Sequence, residues 1–168
     1  MNNGKLILPN TKDYFSFYGL EEKFEIDPSE LKQLFLEKSK MYHPDFYIGD
    51  AESQNIAISS SAYNNLAYKT LGSDISRASY LLNLKTGLED KSVQLPQAFL
   101  MEMMDLNELI DDINEDNRYD IEDQIQALKK TALESIRQYA SEEIWTSLQI
   151  EILKWRYLER LENRLNEA

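Results

Sequence analysis

Apolar residues along this chain recur at intervals of three and four, and no stretch alternates convincingly in the manner of a strand. The pattern predicts helices throughout. A short aromatic cluster (Tyr14, Phe15, Phe17, Tyr18 and Leu20) closes near Gly19. The first well-signalled helix opens at Asp27-Pro28-Ser29-Glu30, where Asp27 suits the N-cap, Pro28 the first helical position and Glu30 the far side of a capping box. Leu31, Leu34 and Phe35 follow at core spacing, and the helix has to stop before Pro44. A second helix is expected from about Ala51 to Leu71, with Ala62, Asn65, Tyr68 and Leu71 recurring and Gly72 as its C-cap. A short helix through Arg77-Ala78-Ser79-Tyr80-Leu81-Leu82 comes next.

Residues 85–96, with Gly87, several charges and Pro96, read as a domain boundary. Three longer amphipathic helices are predicted beyond it: Gln97 to about Glu115, Ile121 to about Ala140, and Glu142 to Leu165. The first carries a core stripe of Phe99, Met103, Leu106, Ile110 and Ile113. The second carries Ile121, Ile125, Leu128, Ala132, Ile136 and Tyr139; the third carries Ile144, Leu148, Ile152, Trp155, Leu158 and Leu165. Three such stripes on short loops bury one another in a bundle. The expected organisation is all-α, with one domain over 1–84, a linker over 85–96 and a three-helix domain over 97–168.

Composition narrows the chemistry. Five glycines and four prolines in 168 residues leave room for long regular elements. The absence of cysteine removes disulfides, thiolate zinc sites, cysteine nucleophiles and ligated iron–sulfur clusters. With one histidine and no glycine-rich phosphate loop, catalysis by the chain itself is not expected, and nothing singles out a carboxylate pair for acid–base work. No cofactor or metal is expected either: carboxylates at helical spacing without a turn motif make a poor cation site. The apolar run Leu6-Ile7-Leu8 is too short for a signal peptide, and nowhere do 18 apolar residues run together, so a cytoplasmic protein with no membrane span is expected.

A net charge of −12 disfavours nucleic acid and anionic lipid as partners. The charge is concentrated: ten acids against Arg118 in residues 101–123 carry nine of the twelve negative charges. The remaining chain is close to balanced.

His43-Pro44-Asp45 contains that single histidine and lies where the capped helix must end, with Tyr42 and Phe46 beside it. Two readings share one backbone. In the first, proline stops a helix and aspartate caps the next. In the second, a rigid, exposed turn presents an imidazole and a carboxylate to a partner. The flanking pattern favours the second. Asp27, Leu31, Phe35 and Tyr42-His43-Pro44-Asp45, then Asn65-Leu66-Ala67-Tyr68 with Thr70-Leu71, Arg77-Ala78, Tyr80-Leu81-Leu82 and Phe99-Leu100-Met101 resemble J domains. In particular they resemble the HscB (Jac-type) family of iron–sulfur co-chaperones, from about Tyr14 to Leu165.

The resemblance implies a J domain, built as a helical hairpin with its His-Pro-Asp loop, followed by a three-helix domain, the whole being L-shaped. It also implies docking on an ATP-dependent chaperone of the DnaK/HscA type, whose ATPase the chain stimulates without being an enzyme. His43, Pro44 and Asp45 would be indispensable, with Asp45 accepting charge-assisted hydrogen bonds from a partner arginine. Helix phasing adds Lys32 and Lys40 to the same surface, with Lys38 nearer the core edge; the alternative for each lysine is a solvated face. Two departures stand out. Phe46 occupies a place that is usually lysine, and Leu36 and Glu37 occupy places that are often basic.

A second surface lies on the helix from Gln97. Leu100, Met101 and Met104 are off its core stripe, on a face that runs on into Asp105, Glu108 and Asp112. Either the helix is buried on two sides, or this is an interaction patch, for which adaptable methionine is well suited. The resemblance favours the patch and implies an iron–sulfur scaffold protein of the IscU type as its partner, with Tyr157 of the last helix completing it. The alternative function is a J-domain adaptor for the general DnaK chaperone with a different client.

Overall fold

The computed structural model describes residues 11–87 and 93–168. The Leu6-Ile7-Leu8 run and the middle of the 85–96 stretch lie outside these residues. Among the described residues every regular element is helical: α1 (Tyr14–Tyr18), α2 (Pro28–Met41), a 3₁₀ turn (Pro44–Tyr47), α3 (Ala51–Gly72), α4 (Asp74–Thr86), α5 (Gln97–Asp111), α6 (Arg118–Ser141) and α7 (Trp145–Glu167). They form two compact units, Met1–Arg77 and Ala78–Ala168, and the division falls inside α4.

In the first unit, the aromatic cluster folds into α1. Its start is fixed by a reciprocal cap: the Asp13 carboxylate accepts from the Ser16 amide at 2.8 Å, and the Ser16 hydroxyl accepts from the Asp13 amide at 3.1 Å. Gly19 ends it in the left-handed region at φ 73°. At α2, Asp27 is the N-cap and Pro28 the first helical residue, as the sequence pattern predicts. The capping box does not form, because Asp27 takes the Ser29 amide (2.8 Å) and no bond returns from Glu30.

α2 and α3 run antiparallel, as the cross-contacts Phe35–Tyr68 and Ser39–Asn64 require. The buried face of α3 is not the one its apolar residues suggest. Ser53, Ala57, Ser60, Asn64, Ala67 and Leu71 are buried, whereas Ala62 and Asn65 are exposed. Of the predicted stripe, Leu71 is buried and Tyr68 stacks on Phe35, but the buried face is displaced toward Asn64 and Ala67, because small and polar residues line the side that meets α2. Gly72 is the last helical residue rather than the cap; Ser73 takes that place, and α4 starts at once. α4 is also longer than the Arg77–Leu82 segment expected. Arg77 is buried: its guanidinium donates to the Leu71 carbonyl, pairs with Asp74 at 2.6 Å and lies over the Phe24 ring. One side chain thus satisfies an end carbonyl of α3 and covers the aromatic core.

The second unit is built on the three predicted stripes. Met103, Leu106 and Ile110 of α5, Ile121, Ile125 and Ala132 of α6, and Leu158, Leu161 and Leu165 of α7 form its core, edged by Phe99, Ile113, Leu128, Trp155 and Tyr157. Ile144 departs from its predicted stripe: it is exposed and precedes α7, which begins three residues later than expected, after Glu143 turns at φ 57°. α5 ends at Asp111, short of Glu115, because Asn114 and Asn117 capture local backbone groups in side-chain turns that compete with further helix. α6 and α7 are antiparallel, tied by Arg118 to the Leu165 carbonyl and by Lys129 to Glu162.

Candidate functional site

The loop that joins α2 to α3 is short and internally braced. Met41 ends α2, and Tyr42 then turns inward: its ring is buried and stacks on Phe17 at 6.2 Å. His43 and Asp45 remain outside. The Phe46 amide donates to the His43 carbonyl (3.1 Å), and the Tyr47 hydroxyl donates back to the Met41 carbonyl (2.7 Å). His43 Nδ1 accepts from the Asp45 amide at 3.4 Å and lies 3.7 Å from its carboxylate. With Nδ1 accepting, the neutral imidazole carries its proton on Nε2 and has a donor to offer. The His43 and Asp45 side chains are both more than half exposed. Asp50 closes the loop by capping α3 through the Glu52 and Ser53 amides. The turn therefore holds an imidazole donor and a carboxylate acceptor side by side, facing solvent.

Lys32 and Lys40 are exposed on α2. Lys38 is not free in the same way: its ammonium lies 4.5 Å from the centre of the Phe17 ring, and burial lowers its pKa from the ordinary value against the opposing effect of Glu37. Phe46 sits 5.6 Å from the His43 ring, centre to centre.

The support beneath this loop is a network that periodicity does not reveal. The Asn64 amide donates to the Phe35 carbonyl (3.1 Å) and to the Ser39 hydroxyl (3.0 Å), while its Oδ1 accepts from the Tyr18 hydroxyl (2.7 Å). Burial pushes the Tyr18 phenol well above its ordinary pKa, which keeps it a donor. Asn64 thereby fixes α1, α2 and α3 in one register. A polar residue in phase with Ala57, Ala67 and Leu71 is the sequence signal for it, visible once the correct face of α3 is known.

On α5, Leu100, Met101 and Met104 are exposed beside the buried Met103 and Leu106. Asp105, Glu108 and Asp112 are exposed too, and none forms an ion pair with a described residue. Helical spacing sorts these residues into two adjacent stripes. Leu100 and Met104 align with Asn107 and Asp111, both of which bind Arg164 of α7. Met101, Asp105, Glu108 and Asp112 form the outer stripe. Tyr157 is partly buried: it meets Phe99 edge-on at 6.0 Å and is covered by the Arg160 guanidinium. These contacts advance in the same direction on both helices, so α5 and α7 are parallel. The Leu100–Met104 stripe borders the α7 face that bears Tyr157, Arg160 and Arg164. Among the described residues no three carboxylate or histidine groups are arranged to hold a metal ion, and no helix is long and apolar enough to cross a membrane.

Residues 95–166 match the family described as the HSCB C-terminal oligomerisation domain. The chain is 31% identical over 163 residues to the co-chaperone protein HscB homologue of Vibrio atlanticus, covering 91% of this chain and 94% of that one. Among solved structures it resembles the chaperone HscB from Vibrio cholerae (TM-score 0.77, 28% identity, 92% of this chain and 96% of that one). It also resembles human co-chaperone protein HscB, with a TM-score of 0.86 and 26% identity over 96% of this chain and 85% of the human one.

Proposed function

The chain belongs to the HscB family of co-chaperones, and from that premise we propose that it couples two proteins: it stimulates the ATPase of a DnaK/HscA-type chaperone and delivers to it an iron–sulfur scaffold protein of the IscU type. The observation that carries the first half is the braced, exposed His43-Pro44-Asp45 turn at the end of α2. Pro44 fixes the backbone, and the Asp45 carboxylate stands ready for an arginine of the chaperone. The His43 Nε2 donor meets a neighbouring acceptor, and Lys32 and Lys40 flank the contact. Catalysis stays with the partner; this chain supplies geometry and charge. On this reading the J domain spans 1–84 and the scaffold-binding domain 97–168.

The second half rests on Leu100, Met101 and Met104 standing off the core next to Asp105, Glu108 and Asp112, which form no ion pair with a described residue. Apolar side chains of this kind gain from burial against a partner, and acids at the rim select a basic one. Tyr157 borders the same patch.

Steady-state ATP turnover of the chaperone, with and without the chain, tests the first half. Wild type raises turnover, and His43→Gln abolishes the increase while leaving the fold intact by circular dichroism. Stimulation that survived His43→Gln would refute the reading. A pull-down with the scaffold protein tests the second half: Leu100→Ala/Met104→Ala weakens capture at least about tenfold, the usual cost of losing two buried apolar anchors. Retention of full scaffold binding by that variant points instead to an adaptor for general DnaK with another client.

A further inference from the structure

The surface around His43-Pro44-Asp45 is apolar where a charged one would be expected. Leu36, Met41, Phe46 and Ile48 all lie within residues 36–48 and are exposed, with Phe46 at 71% and Ile48 at 74% the most open. Phe46 follows Asp45 directly and Ile48 comes two residues later, on the backbone braced from Tyr47 to Met41. No described residue of the unit covers them. The charges there nearly cancel: over residues 27–48, four carboxylates (Asp27, Glu30, Glu37, Asp45) face three lysines. One of those lysines, Lys38, is folded onto Phe17. The chain as a whole carries −12, so no long-range field draws an acidic partner to this end.

We infer that docking at this loop is carried by apolar burial: Phe46 and Ile48, with Met41 beside them, enter an apolar recess of the chaperone ATPase next to the basic group that meets Asp45. The inference rests on the chaperone-stimulating function proposed above and specifies the chemistry of that contact. Phe46 lies beside the His43 ring and Tyr47 bonds back to Met41 across the turn, so a partner that reaches Asp45 meets this surface. Without a net positive charge it selects an apolar counter-surface over an acidic one. Aromatic and aliphatic side chains have few rotatable bonds, and the braced turn has little backbone freedom left to lose on binding, which suits them as anchors. Lys32 and Lys40 contribute at the rim, where screening by solvent weakens them.

The test measures the concentration of the chain that gives half-maximal stimulation of chaperone ATPase. Phe46→Ala and Ile48→Ala each raise it about tenfold, and Phe46→Leu, which keeps the apolar surface, recovers most of the loss. Lys32→Ala/Lys40→Ala raises it by a smaller factor. For wild type the value changes less than about twofold between roughly 0.05 and 0.3 M salt, a range over which the screening length falls by more than half. A steep rise with salt, or a larger loss from the lysine changes than from Phe46→Ala, overturns the inference and leaves the proposed function standing. Absence of any stimulation by wild type removes both. Both apolar positions are solvent-exposed, so the variants fold; an unchanged thermal midpoint verifies it.

Discussion

Asn64 shows how much one side chain can do in a small unit. Its amide group bonds to two groups on half-buried residues of α2 and accepts from the buried Tyr18, the last residue of α1. Removing one partner of a buried hydrogen bond leaves the other desolvated and unmatched, which costs more than the bond contributes. Asn64→Ala should therefore lower unfolding stability by roughly 1–3 kcal/mol, and Tyr18→Phe by about 1 kcal/mol, as read from denaturant midpoints. The mirror image is Phe46, a large residue with almost no intramolecular duty. Its truncation should leave stability within about 0.5 kcal/mol of wild type, the usual range for surface changes. Asn64 was hidden in the sequence because asparagine in a helix reads as solvent-facing. Phe46 was visible as a departure from the J-domain pattern, but its exposure was not.

Among the elements, the α6–α7 pair offers a sharp electrostatic test. Lys129 bonds to Glu162 and lies over the Trp155 ring, while Gln126 donates to the same carboxylate. The hydrogen bond from Lys129, reinforced by Gln126 and by the lysine charge against the opposing effect of burial, holds Glu162 below its ordinary pKa. A lowered folded-state pKa means that the contribution is present above the unfolded value and disappears as pH falls through the folded one. Glu162→Gln should destabilise the protein by about 1 kcal/mol at pH 7. The gap to wild type should close as the solution is acidified through the carboxylate range. Equal loss at every pH would assign the effect to packing. The helix ends follow a similar logic. Asp27, Pro28 and Gly19 announced their roles, being local devices that the chain itself specifies. The phase of α3 and the early end of α5 were not announced. The first depends on which neighbour α3 meets, and the second on asparagine side chains competing with the helix for backbone groups.

For the whole molecule, the uneven charge predicts two surfaces that differ in their response to salt. Nine of the twelve net negative charges lie in residues 101–123, around the proposed scaffold patch, while the loop at His43 is almost neutral. Scaffold binding, measured by titration calorimetry, should weaken severalfold between about 0.05 and 0.3 M salt, because rim charges at ordinary separations are screened over that range. Chaperone stimulation in the same buffers should hold nearly constant. Parallel behaviour of the two would show that charge does not distinguish the surfaces.

The sequence by itself determined the helical class, the start of α2, the turn at Pro44 and the three core stripes of the second unit. Each of these is a matter of period, capping or backbone restriction, written into a few consecutive residues. It also set Leu100, Met101 and Met104 off the core stripe of their helix, while the packing of the three helices decided that this face is exposed. Only the tertiary structure decided that small and polar residues of α3 form its buried face, that Lys38 is drawn onto Phe17, and that Phe46 and Ile48 stand uncovered beside His43-Pro44-Asp45. Those outcomes depend on which surfaces approach one another across 20 or more residues of chain, and local pattern does not encode that approach.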